Sequence, residues 1–155
     1  MSDDIFSVER VIPAPAEAIF ALLADPAQHP RIDGSSTVIA TKGPPSEPLK
    51  LGSKFGMSMK AGIKYSMESE VVEFEQDRRI AWQSRPFGFK GKLGGGRTWR
   101  YELEPLDAGT KVRESWDLTT DRQRRLLKLG GLPAKTKASM EKTLERIEEI
   151  VTKEA

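Results

Sequence analysis

The stretch MEKTLERIEEIV, from Met140 to Val151, decides the architecture. Met140, Leu144, Ile147 and Val151 recur at spacings of four, three and four, which places them in one stripe along a helix. Glu141, Lys142, Glu145, Arg146, Glu148 and Glu149 cover the rest of its surface. A helix with a single apolar stripe must bury it against another layer. The chain upstream supplies that layer as strands.

Ser35 to Leu118 reads as short strands punctuated by turns. Thr37–Thr41 is one strand, followed by a loop through Gly43-Pro44-Pro45 and Pro48. Lys54–Lys60 and Lys64–Phe74 flank Ala61-Gly62, a hairpin signal. Arg79–Arg85 follows the polar turn Gln76-Asp77-Arg78, and Gly94–Glu104 pairs with Thr110–Leu118 across Leu106-Asp107-Ala108-Gly109. Before them, Ile5–Ile12 reads as a strand stopped by Pro13 and Pro15. Ala16–Ala24 then reads as a helix with Pro15 at its first position, ended by Asp25-Pro26. A second short helical turn is expected within Ala27–Ile32, and another within Arg122–Leu129 ahead of Gly130-Gly131 and Pro133.

The order β, α, α, many β, long α contains no repeat and no linker, so residues 1–155 are expected to form one domain. The fold class is α+β, with one antiparallel meander of about seven strands and two short helices after strand 1. A sheet that wide must curl round the C-terminal helix. Space left between the two is where a small ligand would sit.

Composition narrows the chemistry. The 155 residues are 37% hydrophobic and 31% charged, an ordinary balance for a folded chain. The net charge of +2 gives no bulk argument for nucleic-acid binding. With no Cys, thiol nucleophiles, disulfides, thiolate zinc sites and iron–sulfur clusters are excluded. One His, His29, excludes a multi-His metal site and any supportable Ser-His-Asp arrangement. No Asp-rich calcium loop is present. No metal and no cofactor are therefore expected. No apolar run approaches a membrane span, and the acidic start MSDDIF does not read as a signal peptide, so a soluble cytoplasmic protein is expected.

Val11-Ile12-Pro13-Ala14-Pro15-Ala16-Glu17-Ala18-Ile19-Phe20, then Leu22-Leu23-Ala24-Asp25-Pro26, resemble the opening of the START-like (SRPBCC) helix-grip superfamily. That group includes the birch-pollen-allergen (Bet v 1-like) fold and the polyketide cyclase/dehydrase and lipid-transport proteins. Glu70–Phe74 with Arg78–Trp82 resembles its central hairpin, and Trp99–Glu104, Thr110–Val112 and the long last helix complete the likeness over nearly the whole chain. One departure is Ile32, where the family often carries Trp. The resemblance implies a cavity rather than a catalytic signature.

The candidate site residues follow from strand alternation. Trp99, Tyr101 and Leu103 share one face, as do Val112, Glu114, Trp116 and Leu118. Trp82 on a third strand and Tyr65 and Met67 on a fourth extend that surface. Phe87 and Phe89 stand beside a glycine-rich loop at the expected mouth. Met140 and Leu144 face the sheet from the helix, and Leu129 closes the set. These residues read either as a cavity lining or as a filled core. Glu114 is the sharpest: it falls between Val112 and Trp116 on the inner face, where a buried carboxylate would orient a ligand or act as general acid or base. It reads alternatively as facing solvent, or as a partner of Arg97 or Arg100 on the adjacent strand. Tyr101 is the second catalytic candidate. His29 reads as a surface or rim residue. Gly91–Gly96 lacks a following helix and is not a phosphate loop. Arg122, Arg124, Arg125 and Lys128 form a basic cluster that reads as a solvated face, or as a contact for an anionic membrane surface or an acidic ligand group. Leu126, Leu127, Leu129 and Leu132 beside it read as packing residues, or as a flap.

The expected function is binding, or binding and carriage, of a small hydrophobic molecule such as a lipid, polyketide or isoprenoid-like compound. The resemblance implies as rival a cyclase/dehydrase-type enzyme, and as third reading a co-chaperone-like protein–protein module. The expected partner is thus a small hydrophobic molecule, without nucleic acid or stable membrane insertion, on a monomer or weak homodimer.

Overall fold

Pro13 and Pro15 have no backbone N–H to give to a ladder, so the first strand stops before them. In the computed structural model, which describes residues 3–35, 38–42, 48–86 and 95–153, strand β1 is Ile5–Ile12 and helix α1 is Ala16–Leu23. Pro15 sits one position outside the helix, as its extended N-cap. The Asp25 carboxylate accepts from the Ala27 N–H at 3.0 Å and opens a 3-10 turn over Pro26–Gln28, which runs into α2, His29–Ile32.

The remaining elements are β2 (Val38–Lys42), β3 (Lys54–Ala61), β4 (Ile63–Glu75), β5 (Arg79–Pro86), β6 (Arg97–Leu106), β7 (Gly109–Asp117), α3 (Arg124–Leu127) and α4 (Leu132–Lys153). β2 to β7 form a meander, and β1 returns to lie against β7. The sheet therefore has seven strands in the order β1-β7-β6-β5-β4-β3-β2, every pair antiparallel. β6 starts three residues later than the sequence suggests. Gly95 and Gly96 take φ of +81° and +105°, outside the strand region.

The predicted stripe is the core. Met140, Leu144 and Ile147 are at most 1% exposed and Val151 is 7%. α4 packs along β1 and β7 and touches α1 and α2, so one helix closes the layer of short helices and the sheet. Two polar contacts fix its depth. The Gly34 N–H donates to Thr143 Oγ1 at 2.8 Å, and the Arg146 guanidinium donates to the Asp33 carbonyl. Gly34 is needed there, because a Cβ would lie 2.1 Å from the Ser139 carbonyl oxygen.

A bulge between Val71 and Glu73 on β4 moves the register by one residue. Phe74 consequently pairs with Ile80 in the interior, while Glu73 turns outward to Arg100 at 2.7 Å. Arg100 also holds Asp117 at 3.2 Å, and Arg79 holds Glu102 at 3.1 Å. The Arg100 hydrogen bond holds the Glu73 carboxyl below its ordinary range; at Asp117 burial acts upward, and the Thr119 hydrogen bonds together with Arg100 outweigh it and hold that carboxyl low as well.

Candidate functional site

The ladders of β1, β7, β6 and β5 line up two rows on the inner face. In one, Val8, Glu114, Tyr101 and Ile80 stand opposite each other in turn. In the next, Phe6, Trp116, Trp99 and Trp82 do the same. All three tryptophans of the chain thus lie in one cross-strand row. The rings meet: Phe6 and Trp116 centroids are 5.7 Å apart, Trp99 and Trp116 6.2 Å, and Trp82 and Tyr101 5.6 Å.

From the other side, α2 delivers His29. Its ring stacks on Trp82 at 4.8 Å and meets Phe55 of β3 edge-on at 5.4 Å. His29 is buried, which corrects the surface reading. The reason is helical spacing: Pro26, His29 and Ile32 are the buried positions of this segment, three residues apart. That period was available in the sequence, and the polar neighbours Gln28 and Arg31 obscured it.

Three buried polar atoms in this interior have no hydrogen-bond partner among the described residues: His29 Nδ1, Glu114 Oε1 and Trp116 Nε1. His29 Nε2 lies 2.9 Å from the Leu23 carbonyl, so this nitrogen carries the hydrogen and Nδ1 presents a bare lone pair. Burial pushes the His29 pKa down to about 4, against the Leu23 hydrogen bond and the charges of Asp25 and Asp33. Burial pushes Glu114 well above the usual carboxylate range; the hydrogen bond from Tyr101 opposes this and Asp33 adds to it. Burial and the neighbouring Glu114 likewise push the Tyr101 hydroxyl up. The group therefore favours neutral forms. It presents an acceptor on His29, a donor on Trp116 and a carboxylic acid able to act as either.

Glu114 is not the partner of an arginine. Arg97 holds Asp121 at 3.1 Å and Arg100 holds Glu73 and Asp117, both away from the inner rows. Trp82, Tyr101, Trp116, Met140 and Leu144 are buried together with Glu114, and Trp99 is half-buried. Tyr65 and Met67 are not brought into this group. Tyr65 is exposed and Met67 half-buried toward the far end of β4, opposite Met59 and Met57. Leu129 is 64% exposed, which corrects its placement in the lining. α3 is a single turn, and Leu127 is its residue packed on the core. Phe87, Phe89 and the glycines of 91–94 lie outside the described residues.

Two surface clefts add little chemistry. One of about 350 Å³ on the sheet is lined by Glu9, Arg79, Glu102 and Arg113, which largely neutralise each other as ion pairs. One of about 240 Å³ runs between β1 and α4, past Arg10, Lys137 and Glu141. Among the described residues no group of three or more His, Asp or Glu is arranged to hold a metal ion. No helix among them is long and apolar enough to cross a membrane.

A family model described as polyketide cyclase / dehydrase and lipid transport matches residues 4–152. The uncharacterized protein Rv0088 of Mycobacterium tuberculosis is 36% identical over 108 residues, covering 68% of this chain and 44% of that protein. The chain thus spans under half the length of the curated relatives it matches. Among solved structures, Ms6760 of Mycobacterium smegmatis superposes with a TM-score of 0.74 at 15% identity, covering 98% of this chain and 93% of that one. The AHSA1-like protein of Aeromonas hydrophila gives 0.65 at 19% identity, with 96% and 92% covered. At these identities the structural likeness concerns the fold alone.

Proposed function

We propose that this chain, which belongs to the polyketide cyclase / dehydrase and lipid transport family, binds a small, largely apolar molecule between the sheet and α4. The observation that carries this reading is the set of three unpartnered polar atoms inside an aromatic interior. Each buried group without a partner costs roughly 1–3 kcal/mol, and interiors tolerate few of them. A ligand with an apolar body, one hydroxyl or N–H and one carbonyl would satisfy all three. Its donor would meet His29 Nδ1 and its acceptor Trp116 Nε1–H, with Glu114 taking either role. The aromatic row would supply burial worth roughly 25 cal/mol per Å².

Glu114 supports a second reading, in which the same site is catalytic. A carboxyl kept in its acid form beside a buried Tyr101 is suited to protonate a carbonyl oxygen of a bound polyketide-like substrate. Binding is preferred because it requires only the groups already in place.

The test is native mass spectrometry of the protein purified from its own host, with extracted small molecules identified, alongside tryptophan emission during titration with apolar hydroxy-ketones. Retention of an apolar molecule, or a saturable emission change reduced in Trp116→Phe and in Glu114→Ala, is the expected result. A clean apo mass together with unchanged emission across the series overturns the reading.

A further inference from the structure

We infer that the knuckle formed by α3 and the start of α4 docks on an anionic bilayer surface. Residues 122–140 hold Arg122, Arg124, Arg125, Lys128, Lys135 and Lys137 and no acidic residue, in a chain whose net charge is only +2. Within this basic segment three leucines stand in water: Leu126 is 63% exposed, Leu129 64% and Leu132 37%. Leu127 alone faces inward and fixes α3 to the core. Gly130, at φ +64°, turns the chain between the two helices, and a Cβ on Gly130 or Gly131 would meet nothing within 4 Å. The leucines therefore crown a protruding turn, not the wall of a groove.

This form selects the occupant. A protein partner would have to offer a socket shaped for the knuckle, whereas a bilayer accepts a few apolar side chains at the headgroup boundary without a matching shape. Surrounding Arg and Lys meet anionic headgroups, and their aliphatic stems extend the apolar contact. A second copy of this chain is the wrong occupant on two counts. It would bring the same positive charge, and three leucines fall far short of the ~800 Å² per partner of a standard interface. Lys128 already holds Asp4 at 2.6 Å, so Arg124 and Arg125 are the cations best placed for the headgroups. This inference does not depend on what the interior binds.

Flotation of the full chain with vesicles tests it, comparing pure phosphatidylcholine with a mixture containing about one third phosphatidylglycerol. The protein is expected to float with the anionic vesicles only, and less at high salt. Leu126→Ser with Leu129→Ser should weaken partition by about tenfold or more, since the apolar contact is lost. Arg124→Gln with Arg125→Gln should weaken it by at least about tenfold. Both pairs lie on the surface, and unchanged near-ultraviolet dichroism would confirm that the fold persists. Failure to float with anionic vesicles overturns the proposal. So does equal flotation of the leucine variant, which would reduce the effect to bulk charge. So does concentration-dependent self-association abolished by the leucine variant, which would make the knuckle an interface between copies.

Discussion

At the residue scale, His29 and Glu114 give opposite dependences on pH. His29 has a folded pKa of about 4 against about 6.5 when unfolded. Between those values only the unfolded chain binds the proton, so stability rises with pH and levels off above about 6.5. Its contribution across the window is about 3 kcal/mol. His29→Gln should flatten that part of the profile, measured as denaturant midpoints at several pH values; an unaltered slope would mean that the imidazole is hydrated. Glu114 acts in reverse. Its folded pKa is raised, so the folded state holds its proton longer, and stability falls as pH climbs above the usual carboxylate range. Glu114→Gln keeps the shape and removes the ionisation. The variant should gain on the wild type progressively as pH rises above the usual carboxylate range, and parallel curves would refute burial of the acid. The inner position of Glu114 was legible from alternation with Val112 and Trp116. Its neighbour Tyr101 follows from the β6–β7 hairpin only once the turn is placed at Asp107-Ala108, so that Leu106 meets Gly109; a four-residue turn over Leu106–Gly109 leaves the register open.

At the scale of elements, the seat of α4 on the α2–β2 connection makes a clear comparison. Gly34→Ala would drive a methyl group into the Ser139 carbonyl 2.1 Å away and lift the helix from Thr143. Gly62 also lacks a side chain, and its φ is +83°, but a Cβ there meets nothing within 4 Å. Gly62→Ala should cost about 1 kcal/mol and Gly34→Ala several times that, read from thermal unfolding. Similar losses would show that the loop yields. The α4 stripe was legible because helix period and burial coincide at Met140, Leu144, Ile147 and Val151. The same reasoning fails at Leu129: a one-turn helix leaves too few positions for a period to separate inside from outside. Tyr65 fails for a related reason. Alternation assigns a face, but not how far along β4 that face remains covered.

For the whole molecule, the arrangement is governed by the return of β1 to β7, which joins positions about a hundred residues apart. Pairings this distant must close a long loop before they stabilise anything, so refolding should fall in the millisecond-to-second range of β-rich domains. Stopped-flow tryptophan emission would measure it, and relaxation in microseconds would contradict a rate set by topology. Amide exchange should be slowest in β7, which is paired on both edges and packed under α4, and fastest in β2, the edge strand away from β1. The fold as a whole was legible because element order and turn chemistry agreed. The basic leucine knuckle was visible only as composition, and its exposure had to come from the packing of Leu127.

The β1–β7 pairing also bears on synthesis. On the ribosome, β1 is made well before its ladder partner, which emerges only after about a hundred further residues, and the helix that seals the core follows both. At roughly 5–20 residues per second, Val8 and Ile12 wait between about 5 and 20 seconds without a sheet to join. For that interval the nascent β1 carries apolar residues with no ladder to join, so it is the segment on which a holdase would act.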